Sequence, residues 1–213
     1  MDAKQINQHV EPFDIYSDNT IRDVYRSMSL NEGLELIRGV PIFKWKKWKG
    51  DTSDYQIIIS SDGFVAEAIN SSFFGYLLKQ PKSIFGDLIF KSNESNGIYE
   101  WDILVEKLDG NIGDVYIGIC DMNEKCEIDR EWVLGSDGFA YHNKQLPKWY
   151  SKKFKEGDKI TVHLDMKNRT CAFSINNNRE RILSGWKNIP SQVYPVISLG
   201  CESKLRVETH MKN

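Results

Sequence analysis

The sequence predicts an all-β fold of antiparallel strands, a sandwich or barrel, with a short helical extension at its N-terminus. Three observations predict it. First, Gly157–Asn177 reads GDKITVHLDMKNRTCAFSINN, where Ile160, Val162 and Leu164 alternate with Thr161, His163 and Asp165. A polar turn and a second apolar run, Ala172–Ile175, follow. Period-two alternation marks a strand with one buried face, and two such runs around a short polar loop make a hairpin. Second, Asp-Gly turns recur at Asp62-Gly63, Asp109-Gly110 and Asp137-Gly138. Third, from Tyr55 onward the apolar runs are short and closely spaced, without the helices that a parallel α/β sheet would place between them.

A chain of 213 residues suits one domain with an extension and can bury a core without staples. The expected division is a tail and helical extension over 1–50 and a sandwich over 51–210. A net charge of −2 gives no global electrostatic case for nucleic acid or membrane. No run approaches ~18 apolar residues, and MDAKQINQHVEPFD lacks the apolar stretch of a secretory signal. A cytoplasmic, monomeric protein is therefore expected. Of the four cysteines, Cys171 and Cys201 fall in expected strands as small buried hydrophobes. Cys120 and Cys126 lack the spacing and histidines of a zinc site. Reduced thiols are the default, and no metal or cofactor is expected.

Residues 1–16 read as a loose tail. Residues 19–29 place Ile21, Val24, Tyr25 and Met28 on one helical face, with Asp18 or Asn19 as cap. Ser29–Glu32 resembles a capping box, and a second short helix with Leu34, Leu36 and Ile37 stops at Gly39. Pro41–Gly50, PIFKWKKWKG, has two readings. It is either an aromatic and basic patch for a base or anionic surface, or an edge strand with Phe43 and Trp45 inward and lysines in water. The edge strand is expected, because one lysine cluster in an acidic chain is a weak signal.

Strands are expected over Tyr55–Ser60, Phe64–Ile69, Ile98–Glu106, Val115–Cys120, Trp132–Leu134 and Phe139–His142. The Gly157–Asn177 hairpin, Val193–Leu199 and Leu205–Glu208 complete them. Pro81 and Gly86 break the chain before Leu88–Phe90 resumes it. Lys79–Asp87, Leu108–Asp114, Asp121–Glu131, Asn143–Lys153 and Arg179–Asn188 read as loops.

Several fragments, in order, resemble the SPRY domain, also called B30.2-like. Gly97–Glu106, GIYEWDILVE, resembles its "G-x-x-Y-W-E-V" strand, and Val115–Cys120 its "V-G-V" strand. Leu134–Tyr141 resembles "L-G-x-x-x-x-S-W-x-Y", with Phe139 in the tryptophan's place. Phe154–Asp165 resembles "F-x-x-G-D-x-I-G-V-x-L-D", with Thr161 for a glycine. Phe173–Asn177 resembles "F-x-x-N-G", with Asn177 or Asn178 for the glycine, and Tyr194–Leu199 matches "Y-P-A-V-S-L". The resemblance spans about residues 55–208. It implies a curved two-sheet antiparallel β-sandwich of concanavalin-like architecture, without enzymatic activity. It also implies a protein or peptide partner bound by loops at one end, often within a ubiquitin-ligase or scaffold assembly. Family pocket positions fall on Phe85, Arg130 and Leu199, none of which keeps the family's residue type. The location of the surface therefore transfers better than its specificity. The cysteine pairs of a RING or B-box are absent, and a SOCS-box tail has no room after residue 208.

Catalytic signals are thin. His163 with Asp165 has the residue types for acid–base work, but no nucleophile stands at recognisable spacing, so a sheet-surface pair is expected. Glu100 and Asp102 share a strand face at roughly 7 Å, within the range of a glycosidase pair. A glycan-cleaving enzyme is thus one rival reading. A carbohydrate-binding lectin-like domain is the other, with Asp109, Asn111 and Asp114 as a sparse calcium or sugar site. A binding surface is the stronger expectation, since interfaces favour exposed aromatics and arginine. Trp149, Tyr150 and Trp186 are the loop aromatics, each expected first as a packed anchor. The acidic run with Asp121, Glu124, Glu127 and Arg130 is expected to line the partner site and to favour a basic or amide-rich segment.

Overall fold

A computed structural model of the chain describes residues 43–46, 55–70, 81–92, 97–108, 115–122, 128–142, 146–179, 186, 189–200 and 202–211. All belong to one compact unit, Pro41–Asn213. The two expected N-terminal helices lie outside the described residues, as do Asn111, Asp114, Glu124, Glu127, Cys126 and Cys201.

Alternating short segments pair into strands throughout. They are β1 (Trp45–Lys46), β2 (Tyr55–Ile59), β3 (Val65–Asn70), β4 (Lys82–Gly86), β5 (Phe90–Lys91), β6 (Ile98–Lys107), β7 (Val115–Met122) and β8 (Ile128–Gly135). Then come β9 (Phe139–His142), β10 (Lys148–Trp149), β11 (Lys159–Asp165), β12 (Thr170–Ile175), β13 (Asn178–Arg179), β14 (Gln192–Leu199) and β15 (Lys204–Thr209). An eight-stranded sheet runs β1-β4-β14-β7-β8-β9-β10, with β5 also on β14. A seven-stranded sheet runs β13-β12-β11-β6-β15-β3-β2. The fold is the predicted two-sheet antiparallel sandwich.

The core lies between the sheets. Trp101, Ile103 and Val105 of β6 and Ile160, Val162 and Leu164 of β11 face Ile117 and Ile119 of β7 and Ile197 and Leu199 of β14. Trp101 stacks on Phe90 at 5.1 Å and meets Phe43 edge-on at 5.8 Å. Phe43 and Trp45 are buried and Lys46 is exposed, so the edge-strand reading of this stretch holds. The β11–β12 hairpin forms in register from Ile160↔Ile175 to Asp165↔Thr170. Within its otherwise polar turn, Met166 is fully buried. The next turn explains a departure from the family pattern. Ile175 pairs with Asn178, leaving a two-residue loop, Asn176-Asn177, with φ of 50° and 66°. Both values lie in the left-handed region that a primed hairpin turn demands, and Asn is among the few non-glycine residues that adopt it readily.

Two expected loops need correction. Lys82–Gly86 is a strand between β1 and β14. Its five residues carry Ile84 inward and Phe85 outward, too short a pattern to show a period, and pairing with β14 makes the strand. Asp121 and Arg130 also stand on strands, because β7 and β8 continue pairing to Asp121↔Arg130 beyond their apolar runs.

Glycines separate steric from conformational demands. A Cβ on Gly118 would lie 2.1 Å from the Trp132 carbonyl oxygen, in the neighbouring strand's backbone. At Gly157, φ is 84° but a Cβ would meet nothing within 4 Å. Gly157→Ala should therefore cost about 1–2 kcal/mol, the left-handed penalty alone. Gly118→Ala should exceed the roughly 1–3 kcal/mol of ordinary overpacking, because backbone must move. Urea unfolding of both variants checks the order.

Candidate functional site

The eight-stranded sheet has a second apolar face, turned away from the core. Cys120, Val133 and Val196 are buried there, flanked by Tyr116, Met122, Tyr141 and Tyr194. Strand register sets the rows. Ser83, Ser198, Tyr116 and Gly135 lie across β4, β14, β7 and β8. Phe85, Val196, Gly118, Val133 and Tyr141 form the next row, reaching β9. Tyr194, Cys120 and Glu131 form a third. Phe139 shares the face of Tyr141 and pairs with Trp149 on β10. Aromatic side chains thus cross the sheet from Phe85 to Trp149.

A pocket of about 240 Å³ opens in this face, lined by Pro81, Ser83, Tyr116, Glu131, Tyr141 and Ser198. The Tyr116 and Tyr141 rings meet edge-on at 5.1 Å. Gly135 makes room for them, since its Cβ would sit 2.6 Å from Asp137 Oδ1 and 2.9 Å from the Tyr141 ring. Asp137 accepts from the Phe139 N–H at 3.0 Å and from the Tyr141 hydroxyl. Ser83 and Ser198 share a hydroxyl hydrogen bond of 2.6 Å. Burial holds the Glu131 carboxyl above the usual carboxylate range, offset in part by His142. Burial first, then Glu131 and Asp121, pushes the Cys120 thiol up. Burial and then Asp137 raise the Tyr141 phenol.

The sequence-nominated residues scatter. Phe85 and Trp149 lie on this outer face, and Trp149 is 70% exposed. Tyr150 and Trp186 are buried anchors: both rings meet Phe173 edge-on at 5.8 Å, and the Tyr150 hydroxyl accepts from the Phe173 N–H at 3.0 Å. Leu199 is wholly within the core. Asp121 and Arg130 form an ion pair at 2.5 Å, with the guanidinium 5.9 Å from the Trp132 ring centroid. Glu124 and Glu127 lie outside the described residues. Tyr116, Tyr141, Tyr194 and Glu131 were not singled out from sequence. Tyrosines out of phase with a strand's aliphatic residues were the available signal.

The seven-stranded sheet's outer face is polar. His163 donates from Nδ1 to Glu100 at 2.8 Å, and its Nε2 lies 2.8 Å from Ser174 Oγ. Its partner is Glu100 across the ladder rather than Asp165, which instead accepts from the Asn168 N–H. This is the order of a serine–histidine–acid relay. However, Ser174 is only 3% exposed, and its strand is hydrogen-bonded on both sides, by β11 and β13. Substrate access and spare oxyanion donors are what such a site needs. Asp102 accepts from Thr161 at 2.7 Å and His210 at 2.9 Å, with Lys159 at 3.7 Å. Among the described residues, no group of His, Cys, Asp and Glu is placed to hold a metal ion. None of their helices is long and apolar enough to cross a membrane.

The architecture is a two-sheet antiparallel sandwich with aromatic side chains on one outer face. The SPRY domain family model matches residues 98–212, and the chain belongs to that family. The fold is a known protein-interaction module. Solved structures agree on it. The human HERC1 SPRY domain is 19% identical with a TM-score of 0.54, covering 76% of this chain and 99% of that one. Another human SPRY domain is 12% identical with a TM-score of 0.53, covering 76% and 100%. Stonustoxin is 13% identical with a TM-score of 0.53, covering 78% of this chain and 26% of the toxin. No curated protein sequence matches the chain significantly.

The raised groups share one sign. Cys120, Cys171 and Tyr141 all hold protons more tightly when folded. Their stabilising contribution is complete below the unfolded values, about 8.5 for a thiol and about 10 for a phenol, and is lost as pH rises above them. Stability should therefore fall from about pH 8.5 upward. Calorimetry between pH 7 and 10.5 measures it, and an unchanged melting temperature would contradict it. Peptide-level mass spectrometry should find Cys120 and Cys171 unmodified by iodoacetamide until the protein unfolds.

Proposed function

We propose that this chain is a non-catalytic interaction module that binds a protein or peptide partner across the outer face of its eight-stranded sheet. It would serve as the recognition or scaffold part of a larger intracellular assembly. The observation that carries this is the aromatic band from Phe85 to Trp149 around a pocket. Tyrosine and tryptophan are the residues that dominate binding energy when an interface buries them. Family membership favours the same class of function, and the two human structures that share the fold are themselves SPRY domains.

The binding surface in this reading is the sheet face together with adjoining loops, rather than the acidic run alone. Substitution of the aromatics at the two ends of the band, half-buried Phe85 and exposed Trp149, tests it. Phe85→Ala with Trp149→Ala should reduce retention of the partner set by about 30-fold, the equivalent of roughly 2 kcal/mol. Lys107→Ala, which removes only an exposed ion pair with Glu202 on the other sheet, should leave it unchanged. Quantitative pull-down with matched melting temperatures makes the measurement. Equal retention by the double variant would sink the assignment.

A further inference from the structure

We propose that the exposed segment from Leu146 to Lys155 docks an acidic stretch of a protein partner. This rests on the sheet-face reading above, whose aromatic band ends at Trp149, and adds the charge of what reaches that end.

The segment reads LPKWYSKKFK. Leu146 is 89% exposed and Trp149 70%. Lys148, Lys152, Lys153 and Lys155 are exposed among them. From Leu146 to Gly157 the one carboxylate is that of Glu156. The neighbouring acids are engaged. Asp158 is buried and accepts from the Lys155 N–H at 2.9 Å and from Asn176 at 2.7 Å. Asp137 accepts from the Phe139 N–H and the Tyr141 hydroxyl. Lys107, Lys159 and Lys204 each face a glutamate, whereas none of the four lysines here has an acidic partner among the described residues.

Backbone anchoring gathers these side chains. The Tyr150 and Ser151 N–H groups both donate to the Gly138 carbonyl, at 3.0 and 3.1 Å, and the Phe154 N–H donates to the Ser136 carbonyl at 3.2 Å. Tyr150 and Phe154 are buried. The segment thus wraps the Ser136–Gly138 turn, so closely that a Cβ on Gly138 would lie 2.4 Å from the Ser151 carbonyl oxygen. Each lysine stands one or two residues from an anchored N–H. A backbone already fixed in this way loses little entropy when a partner docks.

Two ordinary roles for surface lysines leave part of this pattern unexplained. Lysines guard sheet edges, and β10 ends the eight-stranded sheet, but of the four only Lys148 stands on it. Solubility accounts for lysines and not for the exposed tryptophan between them, a residue enriched where binding energy concentrates. The charge selects the occupant. The whole chain carries −2, so an extended anionic surface meets net repulsion beyond the segment. A short acidic stretch senses only charges within a Debye length, about 8 Å at physiological salt.

The test pans a random dodecapeptide display library on the full 213-residue chain. Enriched peptides are then measured by fluorescence anisotropy. The expected result is a shared run of aspartate or glutamate whose replacement by asparagine or glutamine weakens binding about 10-fold. Lys152→Glu with Lys153→Glu should weaken the same peptides by a similar factor. Lys46→Glu with Lys167→Glu changes net charge equally at exposed positions, one on the opposite edge of the sheet and one on the other sheet's hairpin turn, and should leave them bound. Equal loss with both pairs would overturn the local patch. The peptide-side replacements need no variant protein to fold. Peptides lost with Phe85→Ala plus Trp149→Ala, yet sharing no acid or indifferent to the Lys152 and Lys153 reversal, would overturn the acidic docking and leave the face reading standing. Acidic peptides lost with the lysine reversal but kept by the aromatic variant would overturn the face reading alone. Failure to enrich peptides, or peptides indifferent to both variants, would overturn both. Tighter binding of phosphatidylserine vesicles or of oligothymidylate than of any acidic peptide would overturn the protein partner.

Discussion

Both sheets depend on one buried ring. Trp101 comes from β6 in the middle of the seven-stranded sheet and is 1% exposed. It stacks on Phe90, which pairs with β14 in the other sheet, and touches Phe43 beside the edge strand β1. Phe43 in turn meets Trp45 edge-on at 5.0 Å. A buried tryptophan removes about 150–250 Å² from water, which at about 25 cal/mol/Å² amounts to roughly 5 kcal/mol as an upper estimate. That is comparable with the whole net stability of an ordinary domain. The neighbours of Trp101 along the chain, Glu100 and Asp102, must then point away from the core. Their polar partners on the opposite face follow from that one choice of phase.

The two outer faces meet different obligations. On the seven-stranded sheet, the carboxylates find polar partners across the ladder: Glu100 with His163, Asp102 with Thr161 and His210, Glu208 with Lys159, Glu106 with Arg206. The more exposed of these pairs, Lys159–Glu208 and Arg206–Glu106, contribute little each, about 0–1 kcal/mol. On the eight-stranded sheet, Tyr116, Tyr141 and Tyr194 form an amphipathic surface. Tyrosine bodies covering Cys120, Val133 and Val196 shield the strands from water.

Strand phase explains what was legible in the sequence. Ile160, Val162 and Leu164 oppose polar residues, so the hairpin's buried face could be read directly. Tyr99, Trp101, Ile103 and Val105 could be read the same way. In VYIGIC both faces are apolar, so alternation says strand without saying which side is core. The outer face is therefore hidden in the sequence, where charged loops stand out instead. Tyr150 and Trp186 looked like loop aromatics because sequence shows position along the chain but not the distance to Phe173. Lys82–Gly86 was missed for a different reason. Its strand character comes from β14, more than a hundred residues away, and no local pattern encodes that pairing.

The pocket and the fold share a cause. Gly118 has no side chain because the Trp132 carbonyl occupies that space, and Gly135 has none because Asp137 and two tyrosine rings do. Close strand approach therefore leaves the centre of the outer face without side chains at two neighbouring positions, and the tyrosines close around the space. The rim residues do not belong to the inter-sheet core, so their identity is free to vary while the sandwich persists. Folds of this shape at 12–19% identity are consistent with that freedom. A scaffold built this way supplies a depression at a fixed place and leaves its chemistry to whichever side chains ring it. In this chain those side chains are tyrosines, serines and a half-buried glutamate.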